Sequence, residues 1–151
     1  MNTSKSITAI VLIAGIAGAG WWLSSPKAGD PGSPAQQETA AIAQGAPMVE
    51  VRLPDSLSGR AQIGQRAFEV TCAVCHSGNA AAREGIAPPL VHRIYEPGHH
   101  ADEAFQRAVQ YGVRAHHWEF GNMPPVEGVT RADVMAITVY IRELQRANGI
   151  N

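Results

Sequence analysis

The chain has two cysteines, and they stand two residues apart with a histidine directly behind them: Cys72-Ala73-Val74-Cys75-His76. Thiols at this spacing can serve three chemistries. They can cycle between dithiol and disulfide, which calls for a strand ahead of the motif within a βαβ unit. They can supply half of a tetrahedral zinc site, whose other ligands would come from His92, His99, His100, His116 or His117. Or each thiol can form a thioether with one vinyl group of a haem, while the adjacent imidazole ligates the iron. Only the third uses both sulfurs and the neighbouring ring. The zinc reading leaves His76 unexplained, and the residues before the motif read as helix rather than strand. By average residue usage the pentapeptide would arise by chance in roughly 1 chain in 1000 of this length. Two cysteines are also too few for a disulfide framework.

Helices must position this motif. Around Ser58 to Cys72, Ile63, Ala67, Phe68 and Val70 partly follow helical spacing. Gly64, Phe68 and Cys72 recur every four residues and share one face, where a glycine lets another backbone come close. From His76 to His100 the chain holds Gly78, Gly85, Pro88, Pro89, Pro97 and Gly98. That is poor material for helix or sheet, and loops of such length are usually functional or wrapped around something. A second helix is expected over about Ala101 to Tyr111. Asp102 and Glu103 favour its dipole, Ala104, Phe105, Ala108 and Val109 form its apolar face, and Gly112 suits the stop. A second loop, Gly112 to Val129, contains Gly121-Asn122-Met123-Pro124-Pro125. The clearest helix follows: Thr130 and Asp133 make a start signal, Val134, Ile137, Tyr140, Ile141 and Leu144 keep helical spacing, and Gly149 ends it. There is no strand ladder and no internal repeat, so the expected class is all-α.

On these residues, the stretch from 58 to 149 resembles a class I cytochrome c domain. The resemblance implies three main helices wrapped around one covalently bound haem c, with the motif at the end of the first helix. It makes Cys72 and Cys75 the thioether cysteines and His76 the proximal iron ligand. Met123 matches the distal ligand through the likeness of its loop to the family's Met-Pro loop. Gly64 and Phe68 match the first-helix packing pair, and Tyr140 the aromatic on the last helix. Ala87-Pro88-Pro89-Leu90 resembles the family's Gly-Pro-x-Leu segment, whose proline carbonyl accepts a hydrogen bond from the proximal histidine; the match makes Pro88 the acceptor, with Ala87 in place of glycine and Pro89 as an extra proline.

Other ligands compete for the distal position: His99, His100, His116 and His117. A methionine is the partner that resemblance favours, and Met/His ligation raises a cytochrome's potential relative to two histidines. The pairs His99-His100 and His116-His117 read either as ordinary surface or pocket histidines or as a second metal site, for copper or zinc, shared between the two loops. Trp118, beside His117, is assigned to packing in the haem pocket.

The compartment follows from the N-terminus. Residues 7–23, ITAIVLIAGIAGAGWWL, carry no charge and follow Lys5. This length is at the short end for a membrane span, and it also suits a signal peptide, with Ala17-Gly18-Ala19 as a cleavage site. Trp21 and Trp22 suit an interface and favour an uncleaved anchor. Residues 24–54, rich in Pro, Gly, Ala, Ser and Gln, read as a flexible linker, and residues 55–151 as the domain. The haem motif, whose attachment in the family it resembles takes place outside the cytoplasm, puts that domain on the periplasmic side of a bacterial inner membrane, anchored, or soluble in the periplasm after cleavage.

The formal net charge is -1, without the basic patch that nucleic-acid binding requires. Both lysines, Lys5 and Lys27, precede the domain. A cationic docking rim would have to come from Arg60, Arg66, Arg83, Arg93, Arg107 or Arg114. The expected function is one-electron transfer in a respiratory or photosynthetic chain, without substrate turnover, in partnership with membrane redox complexes or small periplasmic redox proteins. The rival expectations are an accessory haem subunit of an oxidase or dehydrogenase, and a haem-based sensor of small ligands.

Overall fold

The computed structural model describes residues 43–151. The proposed anchor at 7–23 and most of the linker at 24–54 lie outside the described residues. Within them, no helix is long and apolar enough to cross a membrane.

The described residues hold four α-helices: α1 (Gly59–Thr71), a single turn α2 (Ala73–His76), α3 (Asp102–Tyr111) and α4 (Arg131–Ala147), with a 3-10 turn at Arg93–Tyr95. The three long ones correspond to the helices expected from periodicity. Extended pairing among the described residues is limited to two isolated bridges, Arg83 with Ala87 and Val113 with Met123, so the architecture is all-α.

Local bonds mark the starts of α1 and α4, and a glycine marks the end of α3. The Ser58 hydroxyl accepts from the Ala61 N–H at the start of α1, and Ser58 is held in turn by the Glu143 carboxylate, with its hydroxyl donating over 2.6 Å. The start of α4 is a full capping box: Thr130 Oγ1 accepts from the Asp133 N–H, and the Asp133 carboxylate accepts from the Thr130 N–H. Such a box satisfies donors that the first turn leaves unpaired. α3 stops at Gly112, whose φ of 73° is a conformation that glycine enters without penalty.

The core lies where α1 crosses α4. Ala61, Phe68, Ala80, Val91, Ile137, Tyr140, Ile141 and Leu144 form one buried cluster. Gly64 makes the crossing close: a Cβ there would sit 1.9 Å from the Ala136 carbonyl oxygen of α4. One turn further along, Phe68 and Tyr140 pack with ring centroids 5.6 Å apart at 58°. The Tyr140 hydroxyl donates to the Gly78 carbonyl over 2.8 Å, and so ties the crossing to the loop that follows the cysteine motif.

Two features depart from the sequence expectation. Arg142 and Gln145, polar residues of α4, are buried along with its apolar stripe. Arg142 donates to the carbonyls of Tyr95 and His100, to Asp102 Oδ1 and to Gln145 Oε1; Gln145 donates to the carbonyls of Leu90 and Tyr95. Together they hold the long loop's backbone against α4, which is how a buried guanidinium is made tolerable. The second departure concerns the end of the expected linker. Residues 45–52 are bonded to the domain: Gly45 N–H donates to Glu84, Met48 N–H to Ala81, and Arg52 exchanges two 2.8 Å bonds with the Asn148 side chain. The domain therefore extends further toward the N-terminus than the expected boundary at residue 55.

Candidate functional site

α1 delivers the motif. The helix ends at Thr71, Cys72 caps it with its N–H bonded to the Phe68 carbonyl, and the chain re-enters a helical turn, Ala73–His76. The turn keeps both cysteines and the histidine together, with His76 N–H bonded to the Cys72 carbonyl over 2.9 Å. Cys72 is half-buried, while Cys75 is exposed. Burial pushes the Cys72 thiol up, only partly opposed by its contact with the Thr71 hydroxyl. A thiol of that kind differs from the acidified cysteine of a redox pair, and a helix, not a strand, stands ahead of it.

His76 is buried. Its Nδ1 lies 2.9 Å from the Pro88 carbonyl. A carbonyl can only accept, so Nδ1 carries the proton and Nε2 keeps a free lone pair. Burial holds the imidazole below its usual pKa, and the Pro88 hydrogen bond opposes that shift in part. The ring is thus a neutral ligand with a fixed tautomer. The loop that brings Pro88 here is short-circuited by its own backbone: Ala82 N–H bonds to the His76 carbonyl and Leu90 N–H to the Ala80 carbonyl. Ser77, Ala80 and Ala82 take positive φ values there. Such conformations in non-glycine residues persist when surrounding structure imposes them.

Met123 stands at the base of the second loop. Its N–H and carbonyl exchange bonds of 3.0 and 2.9 Å with Val113, and Asn122 Oδ1 accepts from the Ala115 N–H. Gly112 makes room: a Cβ there would lie 2.5 Å from the Met123 carbonyl oxygen. At the tip, Trp118 packs edge-on against His92 and stacks on Phe120. Its indole Nε1 is buried without a hydrogen-bond partner. The Tyr95 hydroxyl, raised in pKa by burial, is close enough to feel the indole, but no acceptor meets the N–H with hydrogen-bond geometry. His99, His100, His116 and His117 also gather, from the two loops; partial desolvation and the neighbouring imidazoles hold His117 below the usual value.

The family model for cytochrome c matches residues 61–145, more than half of the chain. The chain belongs to the cytochrome c family. Its cofactor is therefore a covalently bound haem c, and family members are typically electron carriers rather than enzymes. No curated protein and no solved structure matches the chain.

The residues of this cytochrome fit the group. Two thiols flank an exposed turn, a neutral imidazole is fixed with Nε2 available, and a buried indole N–H lacks an acceptor of the kind that an acidic side arm of the porphyrin would supply. The sequence carries no local sign that Arg142, Gln145 and Gly112 position the two loops. Gly112 reads there only as a helix stop; its contact with Met123 comes from a part of the chain that no local pattern connects to it.

Proposed function

We propose that this cytochrome is a one-electron carrier of a respiratory or photosynthetic chain, with a class I fold and His76 and Met123 as the axial ligands of its haem iron. The reading rests chiefly on one observation, the buried imidazole of His76 held by the Pro88 carbonyl at the end of the Cys72–Cys75 turn. Bound haem c supplies an iron that changes oxidation state by one electron. Cys72 and Cys75 hold the ring in place through their sulfurs. The Pro88 carbonyl, drawing on Nδ1–H, strengthens His76 as a donor and fixes its orientation, as hydrogen bonds to metal-bound histidines do. The Met123 thioether favours the ferrous state and raises the potential. With both His76 and Met123 holding the iron, the protein would leave no coordination site open to a substrate.

The route for electrons is suggested by exposure. Val74 is 70% exposed and Cys75 is exposed, so a ring edge attached there would lie near the surface. Arg83, whose guanidinium donates to the Val74 carbonyl over 3.3 Å, borders it and supplies positive charge for an acidic redox partner. Arg60, Arg66, Arg93, Arg107 and Arg114 are exposed as well. The partners are membrane redox complexes or small periplasmic redox proteins, and the setting is the periplasmic side of a bacterial inner membrane, with residues 7–23 as the anchor.

Met123→Ala tests the ligation. The expected outcome is an open distal position that takes up carbon monoxide in the reduced protein, with a lower reduction potential by redox titration. If potential and visible spectrum stay unchanged, Met123 is not the ligand. Rapid carbon monoxide binding by the unaltered protein would instead favour a sensor over a carrier.

A further inference from the structure

We propose that His99, His100 and His117 form a second metal site in this cytochrome, for a late first-row divalent ion, with Cu²⁺ bound more tightly than Zn²⁺. The three rings come from two loops that sequence separates and tertiary structure joins. One ligand nitrogen from each falls within 4.8 Å of the other two. Four of the six histidines of the chain thus converge on one patch, apart from the motif histidine and from His92.

The geometry favours an ion. His99 Nε2 and His117 Nε2 are 3.4 Å apart. Two imidazole nitrogens bound tetrahedrally at 2.0–2.1 Å from one ion stand about 3.4 Å from each other. That pair is already at the ligand spacing, and an ion would replace the proton that the two rings share. His100 is prepared differently. Its Nδ1 donates to the Ile94 carbonyl over 2.6 Å, which leaves Nε2 as the free donor atom. A histidine whose far nitrogen is tied to a carbonyl is the usual arrangement of a metal-bound imidazole. The backbone of His100 is itself fixed, since its carbonyl accepts from the buried Arg142. The ring also packs on Tyr95 at 5.0 Å. One ligand is therefore rigid, and the other two sit on exposed loop positions that can close on it.

Three imidazoles with no carboxylate or free thiolate form an all-nitrogen donor set. Imidazole suits zinc, copper and nickel, and the affinity order of divalent ions peaks at copper. Magnesium and calcium, which take oxygen ligands, are disfavoured. The cysteines do not compete, because both are consumed in thioethers. His116 lies beside the group, 4.3 Å from His117 by ring centroids, but it is not among the three residues whose ligand nitrogens converge within 4.8 Å. The fourth position is left to water or an external ligand, the pattern of three-histidine sites.

The test uses the full-length holo-cytochrome, stripped of loose metal with a chelator. Zn²⁺ is titrated by calorimetry, and Cu²⁺ binding is followed by electron paramagnetic resonance. The expected result is one ion per chain beyond the haem iron, with nitrogen hyperfine structure in the copper spectrum. His99→Ala and His117→Ala should each weaken binding by at least about 100-fold, more than loss of a supporting hydrogen bond costs, and leave the haem spectrum unchanged. His116→Ala should stay within about 10-fold of the parent. Absence of binding, equal binding by the parent and the His99→Ala/His117→Ala double variant, or loss confined to His116→Ala would overturn the site. So would a changed haem spectrum in His99→Ala or His117→Ala, which would put that ring on the haem iron. Failure of Met123 as a ligand is read from the haem spectrum and potential of Met123→Ala, and failure of this site from the Cu²⁺ and Zn²⁺ titrations, so the two outcomes are distinguishable.

Discussion

At the scale of single residues, His76 is set by one carbonyl. The Pro88 bond at 2.9 Å fixes the tautomer, and burial keeps the ring neutral. His76→Ala is expected to leave haem attached through the cysteines but without a low-spin spectrum; an unchanged visible spectrum would remove His76 from the iron. Trp118 offers a test of sign. A buried N–H without an acceptor costs about 1–3 kcal/mol, so Trp118→Phe would stabilise a protein in which Nε1 stays unpaired. With a porphyrin carboxylate as its acceptor, the same exchange should instead destabilise the holo-protein by about 1 kcal/mol, read by thermal denaturation. Pro88 was legible in the sequence because its neighbours match a family pattern. Arg142 was not. An arginine next to Glu143 on a helix reads as a solvated charge, and only the four groups brought to it by the loop and by Gln145 and Asp102 reverse that balance. Arg142→Met, which keeps the bulk but takes away the donors to the Tyr95 and His100 carbonyls and to Asp102 and leaves the Tyr95 carbonyl to Gln145 alone, should lower stability by roughly 3 kcal/mol and loosen the segment from Tyr95 to Asp102, as hydrogen exchange would register.

At the scale of elements, the contact between α1 and α4 is the rigid part. Gly64→Ala would place a methyl carbon 1.9 Å from the Ala136 oxygen, so the helices would have to separate. Overpacking of this kind costs about 1–3 kcal/mol, and occasionally more; a backbone clash puts the expected denaturant shift at the upper end. The α4 cap gives a pH dependence. Hydrogen bonds from the Thr130 hydroxyl and N–H hold Asp133 below its ordinary 3.8, and Arg131 holds Glu103 below its ordinary 4.5. A lowered carboxylate pKa adds stability that is complete above the ordinary value and is lost as pH falls through the lowered one. The urea midpoint should therefore drop more steeply on acidification below about pH 4 in the parent than in Asp133→Asn. Parallel acid limbs would show that the cap contributes nothing. The start of α4 is readable from the sequence, since its cap is made by residues three apart. The third feature of the crossing, the Tyr140 hydroxyl on the Gly78 carbonyl, joins residues too distant in the chain for any local pattern to pair.

At the scale of the whole molecule, the arm before α1 is fastened to the loop that follows the motif and to the residue past the end of α4. The arm before α1 runs onto the domain from residue 45, and Asn148, past the end of α4, clamps Arg52 by two bonds. Asn148→Ala should free this arm at a cost of about 1–2 kcal/mol, seen as faster amide exchange at Arg52 without a change in the haem spectrum. Composition read the arm as tether, because Pro, Gly and Ala without periodicity carry no sign of what they touch.

By itself the sequence determined the attachment motif, the three long helices, the cap of the last one and the all-α class. Each depends on residues within a few positions of one another, where spacing alone sets which groups can meet. The tertiary structure decided what spacing cannot: that Gly112 admits Met123, that Arg142 is buried, and that four histidines from two loops share one patch. Those outcomes join residues far apart in the chain, and how the loops pack against the helices and against each other decides which of them meet.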